Sequence, residues 1–215
     1  MTDWLQHWKD DATFWHMDTT NTKLLEFGAC LALQKGDTVF VPLCGKSQDM
    51  RYFLEQQYKV IGIELSSLAV EAFFTENNIE YSMQKVEKFS IYDAQDIRIF
   101  CGDYFDLDAT HLNAVRVVYD RGSLIALPAD LRVRYAQHLH AIIPSGCQML
   151  LLTRNYPQSK ISGPPYAVSE AEVVQLFKGF KCKQLECFDD IQNEPKYQQV
   201  GADFVEKAVY NLQKI

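Results

Sequence analysis

Short apolar, β-branched runs alternate along this chain with segments of helical periodicity. The runs occupy residues 38–42 (TVFVP), 59–63 (KVIGI), 97–103 (IRIFCGD), 114–120 (AVRVVYD) and 147–153 (CQMLLLT). Between the first two runs, Met50, Phe53 and Leu54 recur at helical spacing. Alternation of strands and helices is typical of βαβ units, so the five runs predict a parallel sheet.

Other regions alternate with period two, which predicts antiparallel strands. Residues 180–188 and 203–212 predict a closing hairpin, and residues 81–92 alternate loosely and predict a hairpin ahead of the third strand. We therefore predict one α/β domain over residues 1–215. Its doubly wound, mostly parallel seven-stranded sheet is expected to carry helices on both faces and to end in the antiparallel hairpin.

The first 34 residues precede the first predicted strand and are rich in aromatic side chains. Trp4, Leu5 and Trp8 share one face of a helix, and residues 22–34 predict a second helix. This segment has no sheet partner of its own. We expect residues 1–34 to form a helical cover over the strand ends, where the exclusion of water favours a transfer reaction.

Composition and charge narrow the function classes. Apolar residues make up 47% and charged residues 23% of the 215 residues, as in ordinary globular proteins. Lys and Arg number 21 against 28 for Asp and Glu, and no basic run supplies the face that nucleic-acid binding requires. The apolar runs are also too short to cross a membrane. We therefore expect neither a nucleic-acid partner nor a membrane partner.

Cysteine and histidine spacing bears on compartment and metal binding. The six cysteines include no CxxC pair, and the N-terminal residues lack the apolar core of a signal peptide. These features predict reduced thiols and a cytoplasmic protein. The five histidines form neither an HxxxH nor an HExxH pattern, so no metal site is expected.

The residues after the first two predicted strands indicate a nucleoside site, because ligands of such sheets bind beyond the carboxyl ends of the strands. Residues 42–47 (PLCGKS) contain one glycine, Gly45, which permits a tight turn, and Glu64 follows nineteen positions later. An acidic residue at about this distance accepts both ribose hydroxyls of an adenosine. The GxGxxG pattern for a pyrophosphate is absent, which favours S-adenosylmethionine. The alternative is a plain strand-to-helix connection.

Polar candidates also follow the third and fourth strands. Asp103 is placed to accept from an adenine amino group, and Tyr104 or Phe105 to stack on the ring, although an Asp here equally fits a turn that caps its own backbone. Asp120 and Arg121 follow the fourth strand, and the guanidinium suits the carboxylate at the methionine end of the cofactor. A structural salt bridge is the alternative role for Arg121.

Four segments of the sequence carry most of its similarity to a known family. They lie at residues 39–74 (VFVPLCGKSQDMRYFLEQQYKVIGIELSSLAVEAFF), 99–107 (IFCGDYFDL), 119–139 (YDRGSLIALPADLRVRYAQHL) and 163–173 (GPPYAVSEAEV). Together with WLQHW at residue 4, they closely resemble the bacterial type of the thiopurine S-methyltransferase family. The resemblance implies a Rossmann-like class I methyltransferase that uses S-adenosylmethionine, releases S-adenosylhomocysteine and methylates sulfur on aromatic or heterocyclic thiols.

The resemblance also assigns cofactor contacts, residue by residue. It implies that Trp8, Leu43, Glu64 and Arg121 contact S-adenosylmethionine. The strand-end reasoning selects Glu64 and Arg121 as well, together with the turn around Gly45. For Trp8, helical spacing alone favours a place in the core.

Two segments depart from the usual family pattern. Members often read GFH where this chain has Phe14-Trp15-His16, and they read close to TLDYDQ where it has residues 153–158 (TRNYPQ). Both segments, the second including Arg154 to Pro157, are expected to border the acceptor pocket. We hypothesise that Arg154, in place of an apolar residue, admits a more anionic acceptor.

The expected reaction is direct in-line attack by the acceptor sulfur on the methyl group. Thiolates are the reactive form, and ring-conjugated thiols ionise near neutrality, so a dedicated general base is not required; Asp120 and His16 are the candidates if one is. Two alternatives stay open: methylation of selenium or tellurium species in the same site, and a protein that binds S-adenosylmethionine without transfer. The acceptor is expected to be a small molecule of unknown physiological identity, and the protein a monomer.

Overall fold

The computed structural model describes residues 3–215, and the chain divides into two compact units, Met1–Tyr119 and Asp120–Ile215. The boundary falls within one strand, Val115–Arg121. The first two residues of the predicted N-terminal cover lie outside the described residues. The expectation of one functional domain over the whole chain stays a prediction.

The first unit is built on a mixed sheet. Its helices are α1 (Trp4–Lys9), α2 (Thr22–Phe27), α3 (Gln48–Glu55) and α4 (Ser67–Glu76), and its strands are β1 (Thr38–Val41), β2 (Lys59–Glu64), β3 (Ser82–Lys85), β4 (Ser90–Asp93), β5 (Ile97–Cys101) and β6 (Val115–Arg121). The strand order is β3-β4-β5-β2-β1-β6. The β5-β2-β1-β6 part is parallel, whereas β3 and β4 are joined to it as an antiparallel hairpin.

The second unit is built on antiparallel strands. Its helices are α5 (Ala129–Ile142), α6 (Glu170–Leu176) and α7 (Pro195–Gln199), and its strands are β7 (Gln148–Asn155), β8 (Phe180–Asp189) and β9 (Glu206–Lys214). β9 lies between β7 and β8 and is antiparallel to both, with a bulge in β8 between Gln184 and Glu186. The final two strands therefore pair as predicted, although sixteen residues separate them (190–205) in place of a tight turn.

The five predicted strands and both hairpins are present, and the strand count differs. Residues 3–215 contain nine strands where the sequence predicts seven, because β3 and β4 join the sheet edge. The predicted helix over residues 22–34 is shorter than expected: α2 ends at Phe27, and a single 3₁₀ turn follows to Leu31. Gly28 weakens a helix, and Ala32 then adopts a left-handed backbone with φ 48° that ends it.

The parallel strands bring three strand ends to one edge of the first unit's sheet. All four residues of β1 are buried, as expected for a parallel strand covered on both faces. Val41 pairs with Gly62 and Glu64 pairs with Cys101. The segments that follow β1, β2 and β5 therefore start side by side.

The helices of the described residues are short. Within residues 3–215, no helix has both the length and the apolarity to cross a bilayer, and α5, with 14 residues, is the longest α-helix of that range.

Candidate active site

The turn after β1 has an unusual backbone that positions an amide group. Leu43 and Gly45 both adopt left-handed conformations, with φ 45° and 52°. The amide of Cys44 still donates to the carbonyl oxygen of Ile63 at 2.9 Å, so the turn remains attached to β2. Ser47 then caps α3 through its hydroxyl oxygen. The result is a short strand-to-helix turn whose Gly45 amide points at the end of β2.

Glu64 is held at that point by backbone donors. Its Oε2 accepts from the Gly45 amide and its Oε1 from the Ser66 amide, each at 2.9 Å, and the side chain is 7% exposed. Burial raises the pKa of Glu64, and the amide hydrogen bonds oppose that rise. Because the two carboxylate oxygens together have about four lone pairs, Glu64 retains capacity to accept from a hydroxyl group of a ligand. This donor and acceptor set fits the ribose of S-adenosylmethionine.

Trp8 lies directly over the turn. A Cβ atom at Gly45 would stand 3.2 Å from Cζ2 of the Trp8 indole, so the glycine allows the ring to approach the backbone. Trp8 in turn meets Trp15 edge-on at 5.8 Å between ring centroids. The structure therefore brings Trp8, Gly45 and Glu64 together, which supports the assignment of Trp8 from the family resemblance over the core role that its spacing favours.

The other aromatic residues of the N-terminal segment form one cluster around Trp15. Trp4, His7 and Phe14 each meet its ring edge-on, with centroid separations of 5.0, 5.6 and 5.0 Å. Phe14 nevertheless remains 70% exposed. The packing supports the placement of this segment as a cover beside the turn, which stays a prediction as regards the cofactor.

In the segment after β5, Asp103 caps its own backbone turn, which is the alternative to a contact with adenine. Oδ1 of Asp103 accepts from the Phe105 amide at 2.9 Å and caps a 3₁₀ turn. Tyr104 is only 4% exposed, so its ring is packed inside the unit and does not offer a face for stacking. Phe105 is half-buried and keeps the stacking role available.

Asp120 holds a turn at the start of the second unit. Its Oδ1 accepts from the amides of Ser123 and Leu124 at 3.2 and 3.1 Å, and its Oδ2 accepts from the Tyr135 hydroxyl at 2.7 Å. Burial raises the pKa of Asp120 to about 6, and these hydrogen bonds limit the rise. The geometry assigns Oδ1 to the 120–124 turn and Oδ2 to Tyr135 of α5.

Arg121 and His16 are the two remaining residues that the sequence offers as candidates for the site. Arg121 is the half-buried last residue of β6, and Gly122 follows it with φ 91°. Nε2 of His16 lies 3.5 Å from Oδ1 of Asp18, in a first-unit segment. The cofactor role of Arg121 and the acid–base roles of Asp120 and His16 stay predictions.

Arg154 has a role other than the one hypothesised. Its guanidinium makes two hydrogen bonds to Glu194, at 2.9 and 3.3 Å, and a third to the Tyr197 hydroxyl at 3.2 Å. It also lies over the Tyr197 ring at 5.3 Å. Because these partners occupy the guanidinium, the geometry does not support Arg154 as a contact for an anionic acceptor.

Sequence reasoning missed one residue that supports the site. Asp49, in the first turn of α3, is fully buried and accepts from the Asn21 amide at 2.7 Å and the Tyr119 hydroxyl at 3.0 Å. It therefore ties the N-terminal segment to the helix that follows the Gly45 turn. An acidic residue two positions after a capping serine predicts only a helix-dipole contact, so the sequence holds no signal for this link.

The described residues hold no cluster of metal-ligating side chains. Among residues 3–215, no three acidic, histidine or cysteine side chains are grouped as a metal ion would require. All six cysteines lie in that part of the chain, and none of them forms a disulfide there.

Comparison with known proteins identifies the family. The thiopurine S-methyltransferase model matches residues 1–215. The thiopurine S-methyltransferase of Nitrosospira multiformis is 44% identical over 212 residues, covering 97% of this chain and 96% of the relative. The enzyme of that name from Pseudomonas putida is 37% identical over 211 residues, covering 98% of each chain.

Solved structures show the same fold at low identity. A Burkholderia thailandensis 1,6-didemethyltoxoflavin N1-methyltransferase, crystallised with S-adenosylhomocysteine, matches with a TM-score of 0.66 at 16% identity, covering 99% of this chain and 85% of that one. An arsenic(III) S-adenosylmethionine methyltransferase from Chlamydomonas reinhardtii matches with a TM-score of 0.60 at 16% identity, covering 85% and 66%. The chain therefore belongs to the thiopurine S-methyltransferase family and is an S-adenosylmethionine-dependent methyltransferase with the class I fold.

Proposed function

We propose that this chain transfers the methyl group of S-adenosylmethionine to the sulfur of an aromatic or heterocyclic thiol. The observation that carries the proposal is the buried Glu64 carboxylate, held by the Gly45 and Ser66 amides at the end of β2. This is the position at which an acidic residue binds the ribose hydroxyls of a nucleoside cofactor. The full-length family match supports the sulfur acceptor.

The cofactor contacts follow from the site. Glu64 accepts from the ribose hydroxyls, and the turn containing Leu43 and Gly45 supplies the backbone surface beside it. Trp8 packs against that turn and keeps water away from it. The guanidinium of Arg121 has the geometry to hold a carboxylate through two parallel hydrogen bonds.

The chemistry needs alignment more than proton transfer. S-adenosylmethionine, when bound, supplies a methyl group made electrophilic by its sulfonium. A ring-conjugated thiol reaches the site largely as the thiolate, which is the nucleophilic form. The protein then holds the acceptor sulfur in line and excludes water, and such positioning can lower a barrier by about 7–11 kcal/mol. Asp120 accepts from the Ser123 and Leu124 amides and from the Tyr135 hydroxyl, and it keeps the 120–124 turn in shape.

Product analysis tests this proposal. Purified protein is incubated with S-adenosylmethionine and a panel comprising thiophenol, 2-mercaptopyridine and thiosalicylate, and methylated products are detected by mass spectrometry. We expect S-methylated product above a no-enzyme control, and less product when Glu64 is replaced by alanine and S-adenosylmethionine is supplied below saturation. Cofactor binding by calorimetry with no product from any thiol would overturn the sulfur acceptor. Selenite and tellurite are then the next acceptors to supply.

Two further expectations belong to the same proposal. Six cysteines without a disulfide among the described residues fit a reducing compartment, so the protein is proposed to work in the cytoplasm. The acceptor is proposed to be a small molecule, and the chain is proposed to work as a monomer.

A further inference from the structure

Two segments of the second unit pack into one small apolar cluster. The post-β7 loop, residues 156–167, contributes Tyr156, and the β8–β9 connection, residues 190–205, contributes Tyr197 and Val205, all nearly fully buried. The post-β7 loop directly follows the carboxyl end of β7. The two segments therefore share one core.

A four-residue ion network joins the β8–β9 connection to the sheet. Arg154 on β7 and Lys207 on β9 are direct cross-strand partners. Oε1 of Glu194 lies 2.9 Å from the Arg154 guanidinium and 2.8 Å from the Lys207 ammonium, and Asp190 pairs with Lys207 as well. Both carboxylates come from the connection, and both cations come from the sheet.

Repulsion between the two cations of this network explains why the β8–β9 connection lies beside Arg154 and Lys207. Like charges directly opposite on neighbouring strands repel, so Arg154 and Lys207 need the carboxylates between them. The Glu194 and Asp190 side chains are only 16% and 13% exposed, so solvent and salt screen the network less than a surface pair. The hydrogen bond from Lys207 lowers the pKa of Asp190, which keeps it ionised.

The post-β7 loop is hydrogen-bonded to the segment that follows the proposed cofactor arginine. The Tyr166 amide donates to the carbonyl oxygen of Ile125 at 2.6 Å, in the segment that directly follows Arg121, and the Val168 amide donates to the carbonyl oxygen of Arg154 at 2.8 Å. The loop thus connects the ion network to the segment that follows Arg121, the residue proposed to hold the carboxylate end of the cofactor.

We propose that Arg154 and Lys207, acting through Glu194 and Asp190, hold the post-β7 loop and the β8–β9 connection in the arrangement that receives the thiol acceptor. Arg154 is a positioning residue: it sets the acceptor KM without touching the acceptor. This inference rests on the proposed function, because it concerns the thiol site of that same reaction.

Kinetics and hydrogen exchange of matched variants test the inference. Arg154→Met should raise the acceptor KM about tenfold, the effect of losing one well-buried ionic partner. The KM for S-adenosylmethionine should stay within about twofold, because the cofactor contacts do not involve this network. Arg154→Lys should recover most of the acceptor KM, and Glu194→Gln, which keeps a hydrogen-bond acceptor, should give an intermediate value. Amide exchange of residues 156–167 and 190–205 should accelerate in Arg154→Met.

The control is another cross-strand ion pair, away from these segments. Arg98 on β5 pairs with Asp93 on β4, and Arg98→Met should leave the acceptor KM and the exchange of both segments unchanged. Wild-type protein that methylates no thiol overturns the proposed function. An active wild type whose acceptor KM is unaltered by Arg154→Met overturns this inference alone, and so does an equal rise in both substrates' KM values.

Discussion

Glu64 is a single carboxylate with a structural role and a proposed ligand-binding role. One of its oxygens accepts from the Gly45 amide and the other from the Ser66 amide, and both amides belong to turns beside the proposed cofactor site. Removing the side chain therefore leaves buried donors unpaired as well as removing the ribose acceptor.

The first prediction concerns the affinity for the cofactor. Glu64→Gln and Glu64→Ala should weaken S-adenosylmethionine binding by about 1–3 kcal/mol, roughly tenfold to a hundredfold in Kd, because a buried hydrogen-bond partner is lost. Isothermal titration calorimetry measures the change. The exposed Glu80, replaced by glutamine, is the control and should bind as wild type does. Unaltered affinity in both Glu64 variants would remove this residue from the site.

A second residue-scale prediction concerns Asp120 and pH. Its native pKa of about 6 exceeds the value of about 3.9 expected in the unfolded chain. Between these values the native state binds more protons, so its contribution is present at low pH and is lost as the pH rises from about 4 through about 6. Asp120→Asn removes this dependence, while its amide oxygen can still accept from the Ser123 and Leu124 amides.

Urea unfolding at pH 4 and pH 7 measures the effect. The free energy of unfolding of wild type, relative to Asp120→Asn, should fall by about 2–3 kcal/mol between the two pH values. Asp130→Asn, an exposed change in the first turn of α5, should follow the wild-type profile. Parallel curves for wild type and Asp120→Asn would show that Asp120 does not titrate in this range.

At the scale of elements, the Gly45 turn is the feature on which the site depends. Its left-handed backbone aims an amide at Glu64, and its lack of a Cβ atom admits the Trp8 ring. The chain contains a matched comparison in Gly36, whose φ is 86° and which has no heavy atom near its missing Cβ.

Alanine substitutions at Gly45 and Gly36 separate the energetic cost of a left-handed backbone from the loss of the contact with the Trp8 ring. Both Gly45→Ala and Gly36→Ala should lower the free energy of unfolding by roughly 1–2 kcal/mol, the cost of a left-handed alanine. Only Gly45→Ala should also weaken S-adenosylmethionine binding, by about tenfold or more, because its methyl group displaces the indole. Chemical denaturation and calorimetry on both variants provide the measurement. Equal cofactor affinity in the two would contradict the role of Trp8.

The helices and strands also show what the hydrophobic pattern of the sequence can and cannot predict about secondary structure. The strands of the parallel sheet were predictable because each is a short buried run between turn residues. The length of the second helix was not, because Gly28 is only a weak signal and the left-handed turn at Ala32 depends on the surrounding packing. Nor did alternation over residues 81–92 reveal that the hairpin pairs with β5.

At the scale of the whole molecule, both terminal strands of the strand order resist pairing with another copy. β3 is exposed at all four residues and ends in Lys85, and β8 carries exposed Lys181 and Lys183. Lysines along an edge strand discourage edge-to-edge association. The net charge of −7 adds mutual repulsion between copies.

We therefore expect a monomer over a wide concentration range. Sedimentation equilibrium should give a mass near 24.8 kDa that does not change with protein concentration. Raising the salt concentration tests the electrostatic part, since screening removes repulsion between copies. A mass that rises toward twice this value in low salt would disprove the monomer.

The sequence by itself determined the order of the strands along the chain and the family, and it is also the basis on which the cofactor site is proposed at the ends of β1 and β2. Each of these depends on local features: buried runs, a glycine turn, an acidic residue at a set distance and long characteristic strings. Glu64 and the Gly45 turn meet in the structure because parallel strands carry their carboxyl ends to one edge.

Only the tertiary structure decided which charged residues are occupied elsewhere. Arg154 reads as a free cation in the sequence, yet Glu194, forty positions later, holds it. In the sequence Asp49 is an ordinary helix residue and Asp120 is a candidate general base, yet both are buried and accept from tyrosine hydroxyls 70 and 15 positions away. The physical reason is that ionic and hydrogen-bond partners are chosen by proximity in space, which no periodicity along the chain encodes.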